Sequence, residues 1–108
     1  MIGDRKVLQV DENSNGDQIS LATGEMLEVC LSENRTTGYK WSLESGGDVC
    51  AVVNDKFQPG QAAGDPGNHC WRFRAERAGS ASIELSYRRT WGEEKTPART
   101  FKLTVRVS

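Results

Sequence analysis

Phe101-Lys102-Leu103-Thr104-Val105-Arg106-Val107 places an apolar side chain at every second position. Successive side chains of an extended chain point to opposite faces, so Phe101, Leu103, Val105 and Val107 share one face and the stretch reads as a half-buried strand. The same period recurs upstream. Leu27, Val29 and Leu31 alternate with Glu28, Cys30 and Ser32, and Tyr39, Trp41 and Leu43 with Lys40, Ser42 and Glu44. Trp71, Phe73 and Ala75 alternate with Cys70, Arg72 and Arg74, and Ala81, Ile83, Leu85 and Tyr87 with Ser82, Glu84, Ser86 and Arg88. No segment carries a helical period.

Turn chemistry separates these runs. Lys6–Val10 and Gln18–Leu21 read as two shorter strands divided by Asn15-Gly16, a pair suited to a turn with positive φ, and Ala22–Glu25 reads as a second turn. Ser45-Gly46-Gly47-Asp48 breaks the fourth run. Val49–Phe57 is a weaker apolar segment whose partner the pattern leaves open, and Pro59–Asn68, rich in Gly, Ala and Pro, reads as a loop. Ala78-Gly79-Ser80 predicts that the strands on either side form a hairpin. About seven to eight strands, each with one apolar face, point to an all-β, immunoglobulin-like antiparallel β-sandwich occupying residues 1–108 as one domain. Antiparallel strands return each time to the end they left, so counting from Met26 brings the loops after residues 32, 57 and 88 to one end.

The 14 basic and 15 acidic residues are interspersed, with a formal charge of −1. A protein that neutralises phosphates needs a basic stripe, so no nucleic acid partner is expected. No run reaches the 18 or so apolar residues of a membrane span, and Met1–Arg5 lacks the apolar core of a signal peptide, so the chain is expected to be soluble with no membrane partner. A periplasmic or secreted location is left open, because a leader could have been trimmed. Cys30, Cys50 and Cys70 cannot all pair within one chain, and no CxxC suggests zinc or a redox pair. Free thiols are the expectation, with a single bridge between an unspecified two of them as the alternative.

Three loops carry candidate binding residues. Asn34-Arg35-Thr36-Thr37-Gly38-Tyr39 is a polar loop running into an aromatic strand, with Gly38 free to take φ > 0 at the strand's entry. In the loop after residue 88, Arg89 and Trp91 lie among polar neighbours, and exposed Trp and Arg are enriched in binding hot spots. Between these in sequence is the loop from Gly60 to Asn68. Trp41, Tyr39 and Trp71 sit in strands and are expected in the core, with Tyr39 anchoring the first loop from below.

Asn34–Tyr39 resembles the Asn-Pro-Thr-Thr-Gly-aromatic loop of the chagasin-like inhibitors of papain-type cysteine proteases, with Arg35 in place of the proline. Arg89-Thr90-Trp91 resembles that family's Arg-Pro-Trp motif, with Thr90 in place of its proline. Gly64-Asp65-Pro66-Gly67 is a degraded match to its Gly-x-Gly-Gly run, with Pro66 where a glycine is expected. The resemblance spans roughly residues 17 to 107. It implies a reversible, tight-binding inhibitor of papain-family cysteine proteases, a monomer when free, that plugs the active-site cleft with three loops. Asn34, Arg35, Thr36, Thr37 and Gly38 would lie centrally, Arg89 and Trp91 on one flank, and Gly64 and Gly67 on the other. A loop without its proline is expected to be less preorganised.

Other readings remain. The same fold serves adhesion or ligand-binding modules, which would leave papain untouched. An enzyme would need His69, the one histidine, yet its neighbour Cys70 would point to the opposite strand face, so the two could not share a proton. Cys30, Cys50, Cys70 and His69 lack zinc-ligand spacing, and neither metal nor cofactor is expected. Asn34-Arg35-Thr36 is also an N-glycosylation acceptor, and a glycan there would cap the end that the resemblance sends into a cleft.

Overall fold

A computed structural model describes residues 7–46, 48–62, 64–89 and 97–108. The alternating runs become strands: β1 (Val7–Val10), β2 (Gln18–Leu21), β3 (Met26–Glu33), β4 (Tyr39–Ser45), β5 (Cys50–Gln58), β6 (Gly67–Ala75), β7 (Gly79–Arg89) and β8 (Arg99–Val107). They form two four-stranded sheets, ordered β1-β3-β6-β5 and β2-β8-β7-β4. The sheets are layers of an immunoglobulin-like sandwich. Leu27, Val29, Leu31, Trp71 and Phe73 of the first sheet and Trp41, Ile83, Leu85, Leu103 and Val105 of the second are buried between them. Removing these faces from water is the main favourable contribution to folding.

Both sheets are mixed. β1 runs parallel to β3 and β2 parallel to β8, whereas the other pairs are antiparallel. The reason lies in the connection between β1 and β2. A single 3₁₀ turn at Glu12–Ser14 and the following Asn15-Gly16 carry the chain from one sheet to the other. Gly16, at φ 86°, donates its N–H to the Lys102 carbonyl at 2.7 Å, and the Asn15 side-chain carbonyl accepts the Lys102 N–H at 2.9 Å. This turn is stitched onto β8.

The expected hairpin around Ala78-Gly79-Ser80 does not form. β6 lies between β3 and β5, while β7 lies between β8 and β4, so the turn crosses between sheets. Glu76 donates to the Val49 carbonyl at 2.8 Å, and a Cβ on Gly79 would meet Val49 Cγ1 at 2.8 Å, so the crossing is held tightly against the start of β5. The Val49–Phe57 segment is the edge strand β5, paired with β6 and bulged between Val52 and Asn54. Gly67 and Asn68, expected in a loop, already belong to β6 and pair with Glu33 and Ser32.

The cysteines also depart from the free-thiol expectation. Cys30 stands opposite Cys70 in the β3–β6 register, with Cα atoms 4.1 Å apart, and the two form a disulfide on the outer face of the first sheet. Cys50 remains a buried free thiol. Burial pushes that thiol above its ordinary range, and the Glu76 carboxylate adds to the effect.

Candidate functional site

Register alone brings the three loop stems to one end. Glu33, the last residue of β3, pairs with Gly67, the first of β6; Gln58, the last of β5, pairs with Asn68; and Tyr39, the first of β4, pairs with Arg89, the last of β7. The chain between β3 and β4 bridges the two sheets at that same end. Thr90 and Trp91 lie outside the described residues; Arg89 marks where their loop departs.

The first loop is built around one 3₁₀ turn, Arg35–Thr37. The Asn34 carbonyl accepts both the Thr37 N–H at 3.3 Å and the Thr37 hydroxyl at 2.7 Å, and Gly38 donates to the Arg35 carbonyl at 3.1 Å. Gly38 then takes φ 82°, the left-handed conformation expected from its position, and delivers the chain into β4. Asn34 is held from beneath, its N–H donating to the Tyr87 hydroxyl at 3.1 Å. The Tyr87 ring stacks on Tyr39 at 5.2 Å and packs against Trp41 at 5.0 Å, so the aromatic cluster supports the loop as well as the core. Trp41 and Trp71 are buried, as the strand pattern expects; Tyr39 is half-buried.

Arg35 is tied down despite standing where the resemblance expects proline. Its Nε donates to Glu33 Oε2 at 2.6 Å, and its guanidinium lies 3.9 Å from the Phe57 ring centroid. That cation–π contact connects the first loop to the end of β5. The Arg89 guanidinium lies 5.3 Å from the Tyr39 ring, connecting the stem of the third loop to the first.

The second loop contains a turn closed by Asp65, which donates its N–H to the Ala62 carbonyl at 3.1 Å and accepts the Ala62 N–H at 3.3 Å. Gly64 is exposed at φ 87°. Gly67 is buried, and a Cβ there would approach the Gln58 carbonyl to 2.2 Å. Its lack of a side chain lets β5 and β6 close tightly. A groove between the first and second loops is lined by Arg35, Phe57, Pro59, Gly60, Gly64 and Asp65.

Beneath the first loop lies a polar cluster that motif reading missed. Glu33, fully buried, accepts the Trp41 N–H at 2.6 Å through Oε1, and the same oxygen faces His69 Nδ1 at 3.1 Å. His69 Nε2 meets the Asp55 carboxylate, and the imidazole stacks on Trp71 with centroids 3.9 Å apart. Burial pushes the Glu33 carboxyl upward, but the hydrogen bonds from Arg35, the Trp41 amide and His69 outweigh it and hold the group below its ordinary value. One signal was in the sequence. Glu33 continues the apolar phase of Leu27, Val29 and Leu31, and His69 that of Trp71 and Phe73, so each falls on a face reserved for the core. His69 points inward and Cys70 outward, as neighbours on a strand must.

Residues 20–105 match the family described as Chagasin family peptidase inhibitor I42. This chain belongs to the chagasin family of peptidase inhibitors. It is 34% identical to Amoebiasin-1 of Entamoeba histolytica over 103 residues, covering 93% of this chain and 99% of that protein. It is 30% identical to Chagasin of Trypanosoma cruzi over 90 residues, covering 77% and 82% respectively. The crystal structure of EhICP2, a cysteine protease inhibitor from Entamoeba histolytica, superposes with a TM-score of 0.88 over 98% of this chain and 99% of that one, at 20% identity, which establishes a shared fold. Like its family, the chain is a peptidase inhibitor. Its fold places the stems of the three candidate loops together, and it supports the first of them with charged groups.

Proposed function

We propose that this chain inhibits papain-family cysteine proteases reversibly and tightly, as a monomer, by inserting three loops into the active-site cleft. The observation that carries this reading is the common end of the three stems, fixed by the pairs Glu33–Gly67, Gln58–Asn68 and Tyr39–Arg89. Asn34, Arg35, Thr36, Thr37 and Gly38 form the central wedge, with Arg89 and Trp91 on one flank. Gly64 and Gly67 shape the loop on the other.

A rigid loop suits this task, because immobilising side chains and backbone on association subtracts from affinity. The first loop is closed on itself by the Asn34 carbonyl and anchored through Tyr87 and Glu33, so much of its ordering cost is met during folding. An interface of the usual size would bury about 1,600 Å² in total. Cysteine proteases are the class named for EhICP2, which shares the fold, and the Thr-Thr-Gly loop is the element that resembles the family's cleft-binding motif. His69, with one carboxylate at each ring nitrogen and its side chain buried, is assigned a structural role, and no enzymatic activity is proposed.

Titration into papain with a fluorogenic peptide substrate tests the reading. Stoichiometric, reversible loss of activity is expected. Undiminished turnover at a molar excess of the protein would exclude papain as a target and overturn the proposed three-loop plug of its cleft.

A further inference from the structure

We propose that Glu33 is the positioning residue of the Thr36–Gly38 loop: one buried carboxylate ties the loop's outgoing limb to its returning limb. The two oxygens divide the work. Oε2 accepts Arg35 Nε at 2.6 Å on the way out, and Oε1 accepts the Trp41 N–H at 2.6 Å on the way back. A single rigid planar group therefore spans the base of the turn and sets the separation of its limbs. This inference rests on the reading of that loop as the inhibitory wedge.

The surroundings fit such a role. β4 is the edge strand of its sheet, so the Trp41 N–H that points away from β7 has no ladder partner, and Glu33 supplies one from the opposing sheet. The carboxylate is held from behind. His69 Nδ1 stands 3.1 Å from Oε1, and the imidazole is fixed by its stack on Trp71 and by Asp55 at its other nitrogen. Among the described residues, the charged and titratable groups around Glu33 are thus Arg35 from the 3₁₀ turn, His69 from β6 and, beyond it, Asp55 from β5. Arg35 is in turn clamped by the Phe57 ring. Hydrogen bonds to a buried ion are stronger than neutral ones, and losing one partner of such a group is costly.

This arrangement separates two jobs. Thr37 and Gly38 make local bonds within the turn, whereas the turn as a unit is oriented on the sandwich by Glu33 at its two limbs and by the Asn34–Tyr87 bond beneath it. A defect at Glu33 should therefore leave a folded protein with a looser loop.

The test uses Glu33→Gln, which keeps the shape but offers one acceptor oxygen for two donors, together with Arg35→Ala and the double variant. Two readouts are taken: amide hydrogen exchange at residues 36–38 of the free protein, and the inhibition constant against papain. Each single variant is expected to exchange about tenfold faster at those amides and to inhibit about tenfold more weakly, mainly through faster dissociation. In hydrogen exchange the effect of the double variant should fall short of the sum of the two single effects, because both changes break the Glu33–Arg35 pair, although Arg35→Ala also removes the Phe57 contact. Arg35→Lys, which retains a charged donor, should recover part of the loss.

A cooperatively folded Glu33→Gln variant whose loop exchange or inhibition constant stays within twofold of the parent would overturn the proposal, as would fully additive effects of the two changes on exchange at residues 36–38 of the free protein. If Glu33→Gln does not fold, Arg35→Ala and Arg35→Lys decide by the same criteria. Should the parent protein leave papain untouched, the inhibitory reading fails, while exchange at residues 36–38 still decides whether Glu33 positions the loop.

Discussion

Replacing Cys30 and Cys70 together by serine isolates the contribution of the bridge between β3 and β6. These strands are already joined by eight register pairs, from Met26–Arg74 to Glu33–Gly67, so the bridge adds little constraint to the folded state. Its effect falls on the unfolded chain, where it closes a loop with a sequence separation of 40 residues. Chain-entropy arguments put the entropy removed by a closure of that length at about 13 cal/mol/K, or about 4 kcal/mol at 25 °C. For a chain of this size about 4 °C of melting temperature accompanies each kcal/mol, so the double variant should melt about 15 °C below the oxidised protein. The bridge lies on the outer face of its sheet, three register steps short of the Glu33–Gly67 pair at the loop end, and the β3–β6 pairing that carries the loop stems does not depend on it, so the inhibition constant at 25 °C should be unchanged. Calorimetry of the variant, and of the parent with and without reductant, measures the shift; mass spectrometry verifies one bridge and one free thiol in the parent. A melting temperature within about 3 °C of the oxidised parent would refute the argument that the cross-link acts by restricting the unfolded chain.

Trp91→Ala should weaken papain inhibition by about thirtyfold, on the order of 2 kcal/mol, if the indole is a binding hot spot; an unchanged inhibition constant would remove Trp91 from the wedge. Glu33 is held below the ordinary carboxylate value of 4.5, so its contribution to stability is present above that pH and is lost as pH falls further, through its folded-state value. Denaturation curves at pH 7 and in the acid range should accordingly show a smaller acid loss for Glu33→Gln than for the parent. Cys50, buried and raised above 9.0, should resist thiol reagents at neutral pH until the protein unfolds. Because its folded-state value lies higher, its contribution is intact below 9.0 and is lost as pH rises beyond it; a Cys50→Ala variant should lack this alkaline component in denaturation curves.

A charge at position 35 was expected to leave the first loop less preorganised than proline would. Proline restricts a loop through its own ring, whereas Arg35 reaches back to Glu33 and across to Phe57. The two devices differ in kind. Rigidity borrowed from a buried carboxylate is sensitive to residues on β3, β5 and β6 that never reach the loop's surface.

The period-two pattern with its turn signals determined most of the strands, the buried faces of Leu27, Trp41, Phe73 and Leu103, and the shared end of the three loop stems, because alternation and chain reversal are local and cumulative properties of the backbone. The Thr36-Thr37-Gly38 motif added the family. Alternation states which face of a strand is buried and leaves its neighbour unspecified. The crossing of β6 to β7 between sheets, the parallel placement of β1 and β2, and the meeting of Cys30 with Cys70 therefore awaited the tertiary structure. So did the role of Glu33. Its position on an apolar face was legible, but its partners Arg35, Trp41 and His69 come from three other elements, and only the packing of two sheets face to face brings their donors around one carboxylate.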